Sequence, residues 1–327
     1  MNSLINGVRV MDETVSIIIP IYKVEQYIID TLKSVINQTY SNIQLILVDD
    51  CGGDQSCNIA EKYLEDVGYP YQLVRHKKNM GQAAARNSGT QNATGKWIFY
   101  LDSDDLIASE TVEVLVNQAV KYDSKVVFSN FRYIENVLEI NKNIYEDEFA
   151  VLNQREVLSK FLKREIKLLA PGTLYERMLL LNNSLAFEQI PWSEDQHFLW
   201  RLLSYIDKVV YVNAPLYQYL LHENSIMSST EVEKMLVGYN AIATLKKYYD
   251  KNEDIGKYIE PRWVLGTLNS ASKIVGFKKW KQLRDEMNGR NNFNILLTFP
   301  EKRVRLLSIL GMVFPKCYYE LVKRRKL

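Results

Sequence analysis

The chain is predicted to be an α/β protein, with a mostly parallel, open sheet flanked by helices on both faces. Three observations predict it. Short β-branched runs alternate with helical periodicity through the first 130 residues. Runs such as Ile17-Ile18-Ile19 are apolar throughout, as strands covered on both faces must be. Polar residues and glycines gather where the strands end, and that rim is where an open α/β sheet holds its ligand.

In order, the strands are expected at Val15 to Ile19, Ile43 to Val48, Tyr71 to Arg75, Trp97 to Leu101 and Lys125 to Ser129. Between the first two, Val24, Tyr27, Ile28, Leu32, Val35 and Ile36 recur at helical spacing and would lay one face on the sheet. Further helices are expected at about 55–66, 82–93 and 110–122. Beyond about residue 150 the pattern is mainly helical. It is interrupted at Pro191-Trp192-Ser193-Glu194-Asp195 and by one more strand, Lys208 to Val212. Ser193 with Gln196 three residues on reads as a capping box, which puts Glu194 and Asp195 in the first turn of a helix.

The composition is that of an ordinary folded protein. Among 327 residues, 41 Lys and Arg against 39 Asp and Glu give a formal charge of +2, too even for nucleic-acid binding by field alone. Three cysteines, Cys51, Cys57 and Cys317, form neither a paired framework nor a metal-ligand spacing, so a reducing cytoplasm is expected. Residues 1–13 lack the apolar stretch of a signal peptide, and no uninterrupted apolar run reaches the roughly 18 residues of a membrane span. The last stretch, 299–327, mixes apolar residues with eight Lys and Arg. A basic amphipathic segment of this kind can lie on an anionic membrane surface. The other reading is a terminal helix packed on the protein.

Each strand runs into residues with chemistry to offer. The first leads to Pro20-Ile21-Tyr22, the second to Asp49-Asp50-Cys51-Gly52-Gly53-Asp54, and the third towards Asn79-Met80-Gly81. The fourth ends in Asp102-Ser103-Asp104-Asp105, where carboxylates two residues apart can converge on a hard divalent cation. Asp and Ser are also turn formers, and Asp54 suits the N-cap of the next helix.

Taken in order, Pro20-Ile21-Tyr22-Lys23-Val24-Glu25, Val48-Asp49-Asp50, the run from Asn79 to Gly89, Asp102-Ser103-Asp104-Asp105 and Glu194-Asp195 resemble glycosyltransferase family 2. The resemblance covers about residues 14–225 and is of the bacterial surface-polysaccharide type. It implies the A-type nucleotide-diphospho-sugar transferase fold, a Rossmann-like sheet with a helical C-terminal region, acting by inversion at the sugar carbon. On that footing residues 1–225 form the catalytic domain, with a nucleotide half at about 14–130 and an acceptor half at about 131–225. Residues 226–327 form a helical region ending in the basic amphipathic tail.

The resemblance also implies roles. Pro20, Tyr22 and Asp50, with Asp49 beside it, would hold the nucleobase, usually uracil. Asn79 and Gly81 would shape the nucleotide loop, and Arg86 would reach the nucleotide or diphosphate. Asp102 and Ser103 would face the nucleotide. Asp104 would ligate Mn²⁺ or Mg²⁺, with Asp102 and His222 as further candidates. Asp195 would be the general base and Glu194 would position the acceptor. His222 lies in Tyr219-Leu220-Leu221-His222-Glu223-Asn224-Ser225, where relatives carry an Arg at the position of Leu220.

The expected activity is transfer of a sugar from a UDP-sugar to a hydroxyl of a lipid-linked saccharide. Its expected setting is the cytoplasm, peripheral at the inner face of the membrane, without nucleic acid. Two other readings stand beside it: a catalytically inactive nucleotide-sugar-binding or membrane-scaffold protein, and a nucleotidyltransferase. The latter would want a glycine-rich phosphate loop after the first strand, and 20–25 contains no glycine. Residues 130–190 carry no motif, so donor and acceptor identity are not legible.

Overall fold

A computed structural model describes residues 4–5, 8–9, 13–136, 149–222, 232–249 and 253–324. Residues 223–225 of the His222 segment, the expected boundary at 225–226 and the last three residues of the tail lie outside them. The described chain forms two compact units. One comprises 1–157, 166–189 and 205–223, and the other 158–165, 190–204 and 224–327.

The first unit opens with a short antiparallel pair, β1 (Leu4–Ile5) and β2 (Val8–Arg9). Its main sheet then follows the expected alternation with one unforeseen short strand, β7: β3 (Val15–Ile21), α1 (Ile28–Ile36), β4 (Ile43–Asp49), α2 (Ser56–Asp66), β5 (Tyr71–Arg75), α3 (Gln82–Asn92), β6 (Trp97–Tyr100), β7 (Leu106–Ile107), α4 (Thr111–Lys121) and β8 (Val126–Ile134). After 137–148 come β9 (Phe149–Asn153), α5 (Gln154–Leu162, of which residues from 158 on belong to the other unit), β10 (Leu174–Glu176) and α6 (Arg177–Asn182), and later β11 (Lys208–Leu220). The strand order is β5-β4-β3-β6-β10-β8-β11-β7, with β9 also on β11. The pairs β3/β4, β4/β5, β3/β6 and β8/β11 are parallel. All seven residues of β3 are buried, as a central strand covered on both faces requires. Each fully buried aliphatic side chain there contributes roughly 1.5–3 kcal/mol of transfer free energy.

The structure adds strands where only helices were expected. β10 lies antiparallel between β6 and β8, pairing Leu174 with Phe99 on one side and with Val127 on the other. Three residues are too few to show an alternation, so this strand is decided by its two neighbours. β11 does not stop at Val212. It runs on to Leu220 through register shifts around Pro215, while β9 and β7 pair antiparallel to its two halves. Proline cannot donate to a ladder, and the irregularity sits where it falls.

Helix α3 carries the small-residue face seen in the sequence. Ala83, Ala84, Ala85 and Gly89 are buried, and a Cβ on Gly89 would stand 2.2 Å from Ile18 Cγ2. The glycine is what lets the helix lie directly on β3.

The second unit is helical: α7 (Glu194–Leu203), α8 (Val232–Ala243), a 3₁₀ turn (Thr244–Tyr248), α9 (Glu253–Gly256), α10 (Ile259–Ile274), α11 (Phe277–Glu286), α12 (Gly289–Leu296), α13 (Lys302–Val313) and α14 (Pro315–Lys323). The C-terminal tail packs into it. Tyr318 and Tyr319 are buried, donating to Asn269 Oδ1 at 2.5 Å and to the Val275 carbonyl at 2.8 Å. No helix among the described residues is long and apolar enough to cross a membrane.

Candidate active site

Four strand ends build one rim of the first unit. At the first, Pro20 is buried within β3, while Tyr22 just beyond it is 42% exposed with Lys23 Nζ 5.3 Å above its ring. The loop is tied down behind them. Val24 N–H donates to Ser56 Oγ at 2.7 Å and Gln55 N–H to Glu25 at 2.6 Å. The expected Asp54 cap is absent: Asp54 instead accepts from the Ser56 hydroxyl at 2.5 Å, and Gln55 takes the N-cap position of α2.

At the second strand end the structure gives Asp50 a task that differs from the expected nucleobase contact. Asp50 is 2% exposed, and its carboxylate accepts from Met80 N–H at 2.9 Å and from Gly81 N–H at 2.8 Å. His76 Nδ1 lies 2.7 Å from it, and the other ring nitrogen is 2.8 Å from Ser88 Oγ. Asp50 thus pins the loop that turns into α3. Gly81 takes φ 87°, a left-handed value open to glycine, and Asn79 Oδ1 accepts from its N–H at 3.1 Å. Asp49 remains partly exposed, with Oδ1 accepting from Cys51 N–H at 3.0 Å.

Beyond β6, the backbone closes a turn in which Asp105 N–H donates to the Asp102 carbonyl at 3.1 Å. Ser103 is buried, and its carbonyl accepts from the Thr31 hydroxyl of α1 at 2.9 Å, so its side chain is not offered to a ligand at the surface. Arg86 also departs from expectation. It is fully buried rather than facing a diphosphate, with Nη2 2.7 Å from Asp102 Oδ1 and the guanidinium 5.0 Å from the Phe187 ring centre. Gln82 donates to the same Asp102 oxygen at 2.9 Å. The helix that was expected to reach the ligand instead holds the first aspartate in place.

Asp104 faces His222, with Nε2 3.0 Å from Oδ2. Tyr27 stacks on the imidazole at 4.3 Å, fixing its plane. Burial and the nearby Asp102 push the Asp104 carboxyl above the usual carboxylate range, while His222 draws it back down. Asp102, turned towards Arg86 and Gln82, does not join them. Among the described residues no three His, Cys, Asp or Glu side chains form a group that could hold a metal by themselves. The protein therefore offers an oxygen and a nitrogen donor side by side, leaving a hard cation's other positions to water and substrate oxygens.

Asp105, whose role the sequence left open, joins the two halves of this arrangement. It is 1% exposed, accepts from the Tyr217 hydroxyl at 2.5 Å and from Leu220 N–H at 3.0 Å, and is held well above the usual range by burial and the charges of Asp102 and Asp104. Since Leu220 lies two residues before His222, this carboxyl ties the Asp turn to the segment bearing the histidine. Tyr217 lies beyond Val212, where the strand was expected to end, and no motif in the sequence marked it. His76 was legible only as one of three histidines.

In the second unit, Glu194 and Asp195 open α7 as expected, where the helix macrodipole favours acids. The capping box does not form. Ser193 takes a left-handed φ of 70° without a side-chain cap bond, and its hydroxyl accepts from Trp263 Nε1 at 3.1 Å.

Comparison with known proteins decides the family. The model of "Glycosyl transferase family 2" matches residues 16–178, which contain the Tyr22, Asp50, Gly81 and Asp102 to Asp105 segments. The chain belongs to glycosyl transferase family 2. It is 30% identical over 225 residues to the glycosyltransferase GlyA of Streptococcus pneumoniae, covering 66% of this chain and 32% of that one. It is 45% identical over 105 residues to the minor teichoic acid biosynthesis protein GgaB of Bacillus subtilis, covering 31% of this chain and 11% of that one. The chain thus spans about a third or less of these two relatives' lengths. Residues 1–349 of S. aureus TarS in complex with UDP-GlcNAc share the fold at a TM-score of 0.68 and 21% identity, over 95% of this chain and 90% of that one.

Proposed function

We propose that the family 2 chain is an inverting glycosyltransferase that moves a sugar from a UDP-sugar to a saccharide hydroxyl in bacterial surface-polymer synthesis, on a lipid-linked acceptor at the inner face of the membrane. The observation that carries the reading is the 3.0 Å approach of His222 Nε2 to Asp104 Oδ2 at the end of β6. Two ligands at right angles on one octahedral Mg²⁺ or Mn²⁺ stand about 3 Å apart when each is about 2.1 Å from the ion. The donor set therefore fits a divalent cation, with Asp104 and His222 as its protein ligands. Bound there, such a cation would neutralise charge building on the leaving diphosphate.

The remaining roles fall to the chain's own residues. Tyr22 offers an exposed ring for the nucleobase to stack on, and Asp49 is the partly exposed carboxylate beside it. Asp50, with His76, holds the Asn79 to Gly81 loop, and Asp102 faces the nucleotide from its seat on Arg86 and Gln82. Asp195 takes the proton from the acceptor hydroxyl, whose oxygen attacks the anomeric carbon from the face opposite the diphosphate. The bond to the diphosphate breaks with its electron pair, releasing UDP, and Glu194 positions the acceptor. GgaB's teichoic acid role and TarS's UDP-GlcNAc complex support the polymer setting and the uridine donor.

The test is calorimetric titration of UDP with and without Mn²⁺, on the wild type and on Asp104→Ala and His222→Ala. Binding that Mn²⁺ strengthens in the wild type but in neither variant is expected. UDP affinity indifferent to Mn²⁺ in all three proteins would overturn the metal assignment. No UDP binding at all would favour a different donor nucleotide or an inactive protein.

A further inference from the structure

We infer that the outward face of α13 and α14 is a docking surface for an anionic lipid bilayer. The tail that reads as a single basic amphipathic segment is divided by the fold into two apolar faces. One face, Val304, Leu307, Tyr318, Tyr319 and Val322, is buried in the helical unit. The other is left in solvent: Leu306 is 58% exposed, Val313 59% and Phe314 56%, with Ile309 and Leu321 also exposed. At 100° per residue, Lys302, Leu306, Ile309 and Val313 fall within roughly 60° of arc on α13. Cys317, Leu321 and Arg324 share one side of α14 by the same spacing, and the exposed Phe314 is the non-helical residue between the two helices. Packing within the unit accounts for the first face and leaves the second unexplained.

The charges around the apolar stripe name its occupant. Lys302, Arg303, Lys316, Lys323 and Arg324 are exposed, while the acids on these helices, Glu301 and Glu320, are only partly exposed. Large apolar side chains rimmed by cations match the acyl boundary and the anionic headgroups of a bilayer together. A second copy of the same face would set these cations against themselves, so a symmetric dimer is disfavoured. The inference rests on the membrane-side setting proposed above, but it is independent of the chemistry. It explains how a chain without a spanning helix among its described residues would stay near a lipid-linked acceptor.

Vesicle flotation tests it without turnover. The wild type is expected to float with phosphatidylcholine vesicles containing phosphatidylglycerol, and weakly or not at all with phosphatidylcholine alone. Leu306→Ser with Phe314→Ser should weaken binding by about 30-fold, since each side chain loses the burial of its exposed half. Lys316→Gln with Lys323→Gln should weaken it by roughly five-fold per charge, and added salt should mimic that loss. All four positions are exposed, so circular dichroism should show unchanged folding and UDP titration unchanged binding. Equal flotation of wild type and both variants, or none by any of them, would overturn the surface assignment while leaving the transferase reading intact. A wild-type dimer that Leu306→Ser with Phe314→Ser dissociates, without vesicle binding, would assign the face to a second copy and overturn the inference. Vesicle binding without UDP binding would have the reverse meaning, sparing the surface and overturning the UDP-sugar donor.

Discussion

Replacing Arg86 by Met separates two roles for the same residue. If Arg86 holds Asp102, the loss is one of stability. The guanidinium is fully buried, 2.7 Å from a carboxylate whose own side chain is 18% exposed. Breaking a fully buried ion pair costs about 3–5 kcal/mol, because one charge is left uncompensated. Asp102 keeps the Gln82 amide and some solvent, so the cost here should be nearer 2 kcal/mol. Losing the guanidinium over Phe187 adds up to about 1 kcal/mol, offset in part by the methionine that fills the space.

Urea denaturation should then show the sheet unit's midpoint falling by roughly 1 M. In a double-mutant cycle with Asp102→Asn, removing the stranded charge should recover about 1.5 kcal/mol relative to additivity. The reasoning fails if the two substitutions add within about 0.5 kcal/mol. It also fails if Arg86→Met keeps full stability but abolishes UDP binding, which would mean the guanidinium serves the nucleotide directly.

Asp195→Asn, which keeps shape and removes basicity, should lower transfer at least about 100-fold while leaving UDP affinity within two-fold, as read by a sugar-transfer assay beside calorimetry. Gly89→Ala would drive a Cβ to 2.2 Å from Ile18 Cγ2, so a thermal melt should show a loss of about 1–3 kcal/mol. Cys51 and Cys317 are exposed, whereas burial and the nearby Asp49 and Glu61 push the Cys57 thiol up to about 12. At pH 8 iodoacetamide should therefore modify two of the three thiols quickly. The third should react only on unfolding or as pH climbs towards that value, and mass spectrometry of the time course would show a fast third modification if this is mistaken.

Through the first 120 positions the sequence by itself determined the main alternation of strands and helices, with most ends within a residue or two, but α1 begins at Ile28 rather than Val24 and the short strands β1, β2 and β7 were not foreseen. Apolar runs and 3.6-residue periodicity are local properties, and β3, β4, β5, α2 and α3 carry them plainly. It also determined where chemistry had to gather, because parallel strands with crossover helices put every Asp, Gly and Tyr that follows a strand on the same rim. The motif order pointed to the family before any contact was known.

Only the tertiary structure decided which carboxylate does what. Asp49 and Asp50 are adjacent in the chain, yet one accepts from two backbone amides and meets His76, 26 residues away, while the other stays at the surface. Asp102, Asp104 and Asp105 are divided likewise, among Arg86, His222 and Tyr217, partners that lie between 16 and 118 residues away. No local pattern announces such pairings. A carboxylate's role depends on the donors that reach it and on how much water it keeps, and both are settled when distant strands align. The same holds for β10, which is a strand because β6 and β8 leave a gap for it, and for the tail, whose one amphipathic pattern becomes two faces only once α13 and α14 pack.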